Sequence, residues 1–318
     1  MTLVAANKNR RHFLPPVLVA LAVLVAACAQ DGERGVGRER PSPMAVPDCS
    51  GVTVKEGADL ETAVRRTPPG TTLCLMGDFS VERPVRLKPR QILIGPAFIQ
   101  ATAGSPERAG LIKSSGNVLE GLDISGFLIG ISNVGEGVTI RNNRLHGNTR
   151  SGIGGPGGHA LIEDNEVYRN GSTHLLLCCA AGIKYVGVGV TVRNNYVHHN
   201  SNGIWGDQDA NGTLIEGNTV VDNLRKGIFF EISDGAVIRR NLVTGNNTES
   251  EHGHAGITIA SSQNVKVYDN ELGGNGRYGI LAWENLRREP SHSVSIFRNQ
   301  MNGDAIGGCD IATCDDNA

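Results

Sequence analysis

The sequence predicts an all-β solenoid in which each coil holds three short strands. Three observations support this prediction: a recurring motif Asn-x-[Val/Leu/Met]-x-x-Asn, a short alternating segment before it, and a Gly-Ile pair after it. The motif begins at Asn143, Asn165, Asn195, Asn218, Asn241 and Asn270, and a degenerate copy runs from Asn299 to Asp304. Units of about 20 to 30 residues cannot bury their apolar side chains alone, so they must stack on one another.

The segments around each motif are predicted to be strands separated by tight turns. Residues 138–140, 190–192 and 265–267 alternate β-branched residues and are too short for helices. The Gly-Ile pairs begin at Gly152, Gly182, Gly203, Gly227, Gly256 and Gly279. Gly and Asn at fixed offsets mark turns, where a positive φ angle is easily adopted. Stacked in register, the strands pair in parallel about 4.8 Å apart, and the Asn side chains form hydrogen-bonded ladders.

This repeat resembles the right-handed parallel β-helix of the pectate-lyase-like superfamily over residues 49–308. The resemblance implies a three-sheet solenoid but says little about chemistry, because one fold hosts many functions. Ahead of the repeats, residues 59–66 place apolar side chains at helical spacing and stop at Pro68-Pro69-Gly70. We expect a short amphipathic helix there that caps the N-terminal end of the solenoid.

The N-terminal segment reads as a targeting signal. Lys8, Arg10 and Arg11 precede an apolar run, so residues 1–27 are assigned to a signal peptide. The tetrapeptide Val-Ala-Ala-Cys at 25–28 resembles the bacterial lipobox. That resemblance implies a bacterial lipoprotein that is exported and lipidated at Cys28. The lipid would anchor it to the cell membrane, at the outer face of that membrane or in the periplasm. An ordinary cleaved signal peptide is the alternative.

The remaining chain divides into a tether, the solenoid and a short tail. Residues 28–47 are polar and rich in Gly, Arg and Pro, which is typical of a flexible tether. Residues 48–308 are assigned to the β-helix and residues 309–318 to a C-terminal tail. A formal net charge of -2 offers no basic field for nucleic acid. We expect a monomer that meets the membrane only through its lipid anchor.

The cysteines beyond position 28 fit an exported protein. Cys49 and Cys74 bracket the segment before the first coil, and Cys309 and Cys314 lie at the other end. Export permits disulfides, so we predict the pairs Cys49–Cys74 and Cys309–Cys314. Cys178 and Cys179 are adjacent in a long loop, where a disulfide would be strained, so their state stays open.

Alignment of the Gly-Ile segments predicts a cluster of functional side chains. Ile points inward, so the third and fifth positions of each segment face outward. Lys184, Trp205 and Phe229 then form one outward column, and Asp207 lies beside Glu231 in the next. Two carboxylates this close repel each other. We therefore expect that one of them keeps its proton, that Lys184 neutralises the pair, or that a bound cation does so.

Such a cluster suits carbohydrate chemistry. Asp207 and Glu231 are candidate catalytic acid and base, and Lys184 or His198 could move a proton. Trp205 and Phe229 offer flat apolar surfaces for sugar rings. Asp209 and His254 are assigned to substrate binding as nearby polar groups. The alternative is that the acids form a solvated face and the rings pack under a loop.

Loop lengths and a further resemblance point to the same strands. Long loops at 171–181 and 247–255 flank two tight turns and would wall a cleft over them. The segments 203–209 and 227–233 resemble a bacterial β-helix subgroup with Gly-Ile-Trp-x-Asp followed one coil later by Gly-Ile-Phe-x-Glu-Ile-Ser. The resemblance marks a site without naming a reaction. Catalytic motifs of alginate epimerases and polygalacturonases are absent from the sequence.

Three functions stay open at this stage. The first is an exported enzyme, a polysaccharide lyase or glycoside hydrolase acting on an acidic polysaccharide. The second is a non-catalytic glycan-binding or cell-surface protein, and the third is an accessory β-helix that helps to load a metal or cofactor. No cofactor is certain, although Ca²⁺ could hold a uronate. A two-His metal site at His252 and His254 is an alternative to a solvated loop.

Overall fold

The computed structural model describes residues 48–103, 109–132, 135–171, 179–247, 252–284 and 290–318. Within them the chain winds into a β-helix with one short helix ahead of it. In chain order the elements are β1 (Val52–Lys55), α1 (Leu60–Arg66), β2 (Thr72–Val81), β3 (Val85–Arg86), β4 (Ile92–Ala101), β5 (Ala109–Ile112), β6 (Val118–Ser125), β7 (Ile129–Ser132), β8 (Thr139–Arg141), β9 (Arg144–His146), β10 (Ser151–Pro156), β11 (Leu161–Glu163), β12 (Glu166–Tyr168), β13 (Ala181–Val186), β14 (Thr191–Arg193), β15 (Tyr196–His198), β16 (Ile204–Asp207), β17 (Thr213–Glu216), β18 (Thr219–Val221), β19 (Ile228–Glu231), β20 (Asp234–Arg239), β21 (Leu242–Thr244), β22 (Ile257–Ala260), β23 (Gln263–Tyr268), β24 (Glu271–Gly273), β25 (Ile280–Trp283), β26 (Ser295–Phe297), β27 (Ile306–Gly307) and β28 (Thr313–Asp315).

The strands stack into three parallel faces. The first face runs through β8, β11, β14, β17, β20, β23, β26 and β28, and the second through β9, β12, β15, β18, β21 and β24. The long strands β4 and β6 bend across both, so the two faces join at the N-terminal end into one 18-stranded sheet. The third face is a separate 10-stranded sheet from β3 to β27. The predicted all-β parallel solenoid with three strands per coil is therefore confirmed.

One side of every strand fills a continuous core. On the first face the inward column consists of Ile140, Ile162, Val192, Ile215, Ile238 and Val267, none of which is exposed. Each of these side chains lies against its equivalent in the next coil because the pairing is in register. β-Branched side chains pack well in this arrangement, which explains their recurrence at alternate positions.

Two ladders of buried asparagine run along the stack. The first joins Asn143, Asn165, Asn195, Asn218, Asn241, Asn270 and Asn299 and continues to Asn317, and the second runs from Asn148 through Asn275 to Asp304. In each rung the side-chain amide and the backbone N–H both donate to the side-chain oxygen of the next coil. Asn218, for example, donates to Asn241 Oδ1 over 2.9 Å from its backbone and 3.0 Å from its side chain. The predicted ladder is present.

A residue with a positive φ angle directly precedes each ladder asparagine. Asn142, Asp164 and Asn194 have φ angles of 53°, 54° and 55°, and each directly precedes an Asn of the first ladder. Short polar side chains tolerate this left-handed conformation better than most others. The turn residue and the ladder residue are thus separate neighbours, whereas the sequence suggested that one Asn serves both roles.

The two ends of the solenoid differ. Helix α1 begins at the N-cap Asp59, whose carboxylate accepts a hydrogen bond from the Thr62 backbone over 2.9 Å, and it buries Leu60 and Val64. At the other end, β28 lies in the segment assigned to a tail, but it pairs with β26 and continues the first face. The only helix in the described residues is too short to cross a membrane.

Candidate functional site

The proposed catalytic side chains lie on adjacent strands of the third face. Trp205 and Asp207 of β16 are in register with Phe229 and Glu231 of β19. Lys184 of β13 is in register with Trp205 from the other side. This is the register that alignment of the Gly-Ile segments predicted. Inward-facing residues between them hold the strands on the core, so the cluster rests on a rigid support.

Lys184 ties the two outward columns together. Its ammonium nitrogen is 2.9 Å from Asp207 Oδ2 and 3.3 Å from the centre of the Trp205 ring. A cation over an aromatic face is attracted by the ring quadrupole, and the carboxylate fixes its position. Of the three alternatives for the paired acids, a proton, Lys184 or a cation, the geometry shows Lys184 beside Asp207.

A second cation, which the sequence analysis missed, covers the neighbouring ring. Lys226 is only 7% exposed and places its ammonium nitrogen 4.2 Å from the centre of the Phe229 ring. Lys226 precedes Gly227 in a tight turn, and the alignment started at the Gly, so the residue carried no periodic signal. The two adjacent rings of this column therefore each carry an ammonium group.

The cluster is buried, contrary to the expectation of an open aromatic platform. Trp205 and Phe229 are each 5% exposed, Asp207 is 7% exposed and Glu231 is 1% exposed. Their side chains do point away from the core, and the rings form a separate small apolar cluster with Ala181, Ala260 and Trp283. Strand alternation shows which way a side chain points, but it does not show what lies over it.

Residues 252–254 contribute to the cover. The ring of Trp283 is within 2.8 Å of the position that a side chain on Gly253 would take, and His252 meets the same ring edge-on at 6.1 Å. Residues 172–178 and 248–251 of the two predicted walls lie outside the described residues. Cys28 and Cys178 lie outside them as well.

Several buried polar atoms on this face lack a hydrogen-bond partner among the described residues. They are Trp205 Nε1, Asp207 Oδ1 and Thr258 Oγ1. Thr258 is the next residue after Phe229 in the third-position column. Buried polar groups are almost always hydrogen-bonded, so these three unsatisfied atoms in and beside the cluster are groups that a polar ligand could satisfy.

His254 lies close to the cationic side of the cluster. Burial and then the charges of Lys226 and Arg225 lower its pKa to about 3, so the imidazole is neutral at physiological pH. Its backbone carbonyl accepts a hydrogen bond from Asn247 over 3.1 Å. A base with such a low pKa is weak, so His254 is better suited to hydrogen bonding than to proton abstraction. Asp209 is exposed just beyond β16 with a φ angle of 61°.

His198 does not join the carboxylates. It lies in β15 on the second face, where its ring stacks on Tyr168 and Tyr196. The sequence analysis named it, with Lys184, as a group that could move a proton, without assigning it to a face. The turn after β15 takes the chain to another sheet before Asp207, so the side chains of His198 and Asp207 sit on different faces.

The cysteine and metal expectations can be compared with the geometry. The sulfur atoms of Cys49 and Cys74 are 1.92 Å apart, and those of Cys309 and Cys314 are 2.18 Å apart. No three His, Cys, Asp or Glu side chains are grouped for metal binding within the described ranges. Calcium takes six to eight oxygen ligands, and Asp207, already paired with Lys184, is a poor start to such a set.

Comparison with known proteins identifies the fold as a right-handed β-helix. The sequence profile of a right-handed β-helix region matches residues 111–288. Pectate lyase Pel9A superposes with a TM-score of 0.57 at 15% identity, over 84% of this chain and 78% of its own. The A-module of Azotobacter vinelandii mannuronan C-5 epimerase AlgE4 gives 0.56 at 14% identity, over 81% of this chain and 93% of its own.

A third structure of similar fold is the catalytic domain of a GH87 α-1,3-glucanase, solved in complex with tetrasaccharides. It gives a TM-score of 0.53 at 11% identity, over 88% of this chain and 67% of its own. No curated protein sequence matches the chain. At these identities the structural likeness establishes the architecture, and the chemistry has to be argued from the cluster itself.

Proposed function

Because the chain belongs to the right-handed β-helix family, we propose that it is a carbohydrate-active protein that cleaves an acidic polysaccharide at the third face. The observation that supports this proposal is the in-register pair of Asp207 and Glu231 with Lys184 only 2.9 Å from Asp207. Solved proteins of the same fold carry the names of a pectate lyase, a mannuronan epimerase and a glucanase. This architecture therefore accommodates long sugar chains.

The charges of the cluster favour an anionic substrate. Lys184 and Lys226 are both largely buried and both lie over aromatic rings. A uronate carboxylate that enters between them would be attracted by two ammonium groups in a site that water reaches poorly, where charge interactions are strong. The indole N–H of Trp205 and the Thr258 hydroxyl supply hydrogen-bonding groups that such a ligand would satisfy.

Two reactions are compatible with this arrangement. In β-elimination, a carboxylate removes the proton beside the uronate carboxyl group, and Lys184 stabilises the negative charge that develops. The glycosidic C–O bond then breaks as the carbon–carbon double bond forms, and the leaving sugar oxygen takes a proton from the other acid or from water. In hydrolysis, one of Asp207 and Glu231 acts as the general acid, and the other acts as a nucleophile in a retaining enzyme or as a general base in an inverting one. Strands about 4.8 Å apart place these carboxyls closer to the separation of retaining glycosidases than to that of inverting ones.

A glycan-binding protein without catalysis is the second candidate. The observation in its favour is the ion pair itself, because the Asp207 oxygen that contacts Lys184 is already engaged. In that case the rings and cations bind the sugar chain, and the acids only position the lysines.

Product analysis separates these functions. Purified protein is incubated with a panel of acidic and neutral polysaccharides, with EDTA or with Ca²⁺, and followed at 235 nm for unsaturated products and by reducing ends. We expect Glu231→Gln and Asp207→Asn each to lower turnover by orders of magnitude. Asp310→Asn, at an exposed position, is the matched control. Circular dichroism verifies that each variant is folded.

Each outcome has a distinct reading. Rising absorbance at 235 nm indicates a lyase, and reducing ends without that absorbance indicate a hydrolase. If no product forms but Trp205→Ala weakens glycan binding more than either acid variant, the protein is a binder. If none of these variants changes any glycan-dependent signal, the cluster is structural and the proposal fails.

Export and anchoring are part of the proposed function, with residues 1–27 as signal peptide and Cys28 as the lipidated residue. We expect Cys28→Ser to move the protein from the membrane fraction to the soluble one, or to leave it unprocessed. Ala26→Ser, which changes the signal segment but keeps the cysteine, is the control. Membrane fractionation that is identical for wild type and Cys28→Ser would refute lipid anchoring.

A further inference from the structure

A pair of neighbouring histidines on the second face has the geometry of a metal chelate. The Nδ1 atoms of His198 and His199 are 2.8 Å apart, and their rings are almost perpendicular at 85°. The two Nδ1 atoms are therefore close enough for a single ion to bind both. His198 has no place in the site on the third face, so this arrangement needs its own explanation.

The imidazole of His198 is held rigidly from three sides. Its ring lies 5.0 Å from Tyr168 with an interplanar angle of 1°, and 4.2 Å from Tyr196 at 26°. Its Nε2 atom is 3.5 Å from Glu166 Oε1, and Arg144 holds the other oxygen of that carboxylate at 2.9 Å. A histidine that binds a metal through one nitrogen characteristically has a carboxylate behind the other.

Glu166 lies between Arg144 and His198, and its contact with His198 is the longer of the two. At 3.5 Å that contact is an electrostatic attraction rather than a well-formed hydrogen bond. A carboxylate beside Nε2 favours the tautomer of His198 that carries its proton on Nε2 and leaves the Nδ1 lone pair for a partner.

The second histidine is accessible and fixed by its backbone. His199 is exposed and has a φ angle of 54°, the left-handed conformation of a turn residue. Its backbone N–H donates to the Val221 carbonyl of the next coil over 3.4 Å. In the preceding coil the equivalent turn position is Arg169, with a φ angle of 53°. The imidazole of His199 thus reaches solvent while its Cα position is set by the coil.

The distance between the two nitrogens distinguishes between metal geometries. With metal–nitrogen bonds of about 2.0 to 2.1 Å, ligands at a right angle are about 2.9 Å apart, and tetrahedral ligands about 3.3 Å apart. The observed 2.8 Å fits the right angle, which is the preference of square-planar Cu²⁺ and Ni²⁺. We propose that His198 and His199 form a chelating site for Cu²⁺, with Glu166 as the residue that orients His198 and water in the other positions.

Without metal, one Nδ1 carries a proton and donates it to the other nitrogen. Binding of Cu²⁺ to both Nδ1 atoms would require that proton to move to Nε2 of the same ring, so that each histidine binds as its neutral Nε2–H tautomer. Cu²⁺ also stands at the top of the affinity order for divalent ions, so it should bind more tightly than Ni²⁺ at the same ligands.

The test uses full-length protein without a histidine tag, stripped with EDTA and dialysed. Cu²⁺ is titrated calorimetrically, and electron paramagnetic resonance counts the coordinated nitrogens. His199→Gly removes one ligand while suiting the positive φ angle, so the coil should be retained. Arg169→Gly makes the same backbone change one coil earlier and leaves both histidines in place. Glu166→Gln tests the orienting carboxylate, with thermal unfolding of the metal-free variants as the check on folding.

We expect one Cu²⁺ ion to bind to wild type and to Arg169→Gly with a signal from two nitrogens. His199→Gly should lose at least tenfold in affinity and one coordinated nitrogen. Glu166→Gln should lose roughly tenfold while keeping both nitrogens. Identical isotherms and spectra for wild type and His199→Gly would overturn the proposal, and the 2.8 Å contact would then be a simple hydrogen bond between two imidazoles.

Discussion

At the residue scale, the asparagine ladders show how a polar side chain becomes part of a core. All thirteen ladder asparagines between Asn143 and Asn299 are at most 2% exposed. Asn218 illustrates the pattern: its amide donates to the carbonyls of Val192 and Glu216 and to Asn241, and its oxygen accepts two hydrogen bonds from Asn195. Every polar atom of the side chain is satisfied, which removes the usual penalty for burial.

Replacing a central rung should therefore be costly. We expect Asn218→Ala to lower the free energy of unfolding by about 3 kcal/mol, because it leaves buried backbone and side-chain groups of neighbouring coils unpaired. Gln100→Ala, which removes an exposed amide side chain from β4, is the control and should change stability little. Urea unfolding measures both. Equal midpoints for the two variants would mean that water replaces the lost rung.

The lowered pKa of His254 predicts a pH dependence of stability. An unfolded chain protonates this residue near pH 6.5, whereas the folded chain keeps it neutral down to about pH 3. The unfolded state thus binds more protons between these values, and stability present above pH 6.5 is lost as the pH falls. The ideal loss at pH 5 is about 2 kcal/mol, and solvent screening of this half-buried residue reduces it to about 1 kcal/mol.

His254→Gln should abolish that part of the dependence. The measurement is the difference in free energy of unfolding between pH 7.5 and pH 5, which should be smaller in the variant than in wild type. His292→Gln is the control, because His292 is exposed and its side chain contacts the neutral Ser293. An unchanged difference in His254→Gln would show that another group governs the acid sensitivity.

The residue scale also marks the limit of what the sequence could predict. The ladder and the columns of Trp205, Phe229, Asp207 and Glu231 were predictable because each depends only on a fixed offset within one coil. Burial of the cluster was not, because Lys226 and residues 252–254 reach it from positions with no repeating spacing. The face of His198 was not predicted either, because proximity in the chain does not reveal the face on which a strand lies.

At the element scale, the first face carries an outward column of alternating charge. Successive strands contribute Glu120, Arg141, Glu163, Arg193, Glu216 and Arg239 in register. Each Arg pairs with the Glu of the preceding coil at 2.7, 2.6 and 3.1 Å. Opposite charges directly across parallel strands are favourable and like charges are not, so the column disfavours pairing that skips a coil.

A charge exchange distinguishes a ladder from isolated pairs. Arg193→Glu should lower the melting temperature because Glu163 and Glu216 then flank a third carboxylate. The double variant Glu163→Arg with Arg193→Glu restores the pair but creates new like-charge neighbours at Arg141 and Glu216. If each charge interacts with both of its neighbours in the column, the double variant stays less stable than wild type. Full recovery of the wild-type melting temperature would reduce the column to independent pairs.

At the scale of the whole molecule, stability should be close to a sum over coils and their interfaces. Deletion of residues 195–217 or of residues 218–240 removes one whole coil of equal length and keeps every ladder in step. We expect both proteins to fold, with the first the less stable. That deletion places Arg193 against Arg239. It also removes Gly206, which separates the Tyr185 and Phe230 rings in the intact protein, so these two rings would lie directly against each other.

Circular dichroism and thermal unfolding compare the two deletions. Retained β-sheet signal in both, with a lower melting temperature for the deletion of 195–217, is the expected result. The reverse order of melting temperatures would contradict the role assigned to the charge column and to Gly206. Loss of cooperative unfolding in both would show that the coils are less interchangeable than the ladders imply.

The hydrogen bonds of the asparagine ladders all run in one direction, and Asp304 shows what this means for duplication of coils within the gene. Every rung donates toward the C-terminal neighbour, and Asp304 at the end of one ladder accepts from the Asn275 backbone and side chain. A carboxylate suits a position that only accepts. A tandem duplication within the gene would therefore give a longer protein. Its new coil would accept hydrogen bonds from the preceding coil and donate to the following one, and Asp304 would still end the second ladder. Unequal recombination can lengthen or shorten such a protein without inventing a new interface.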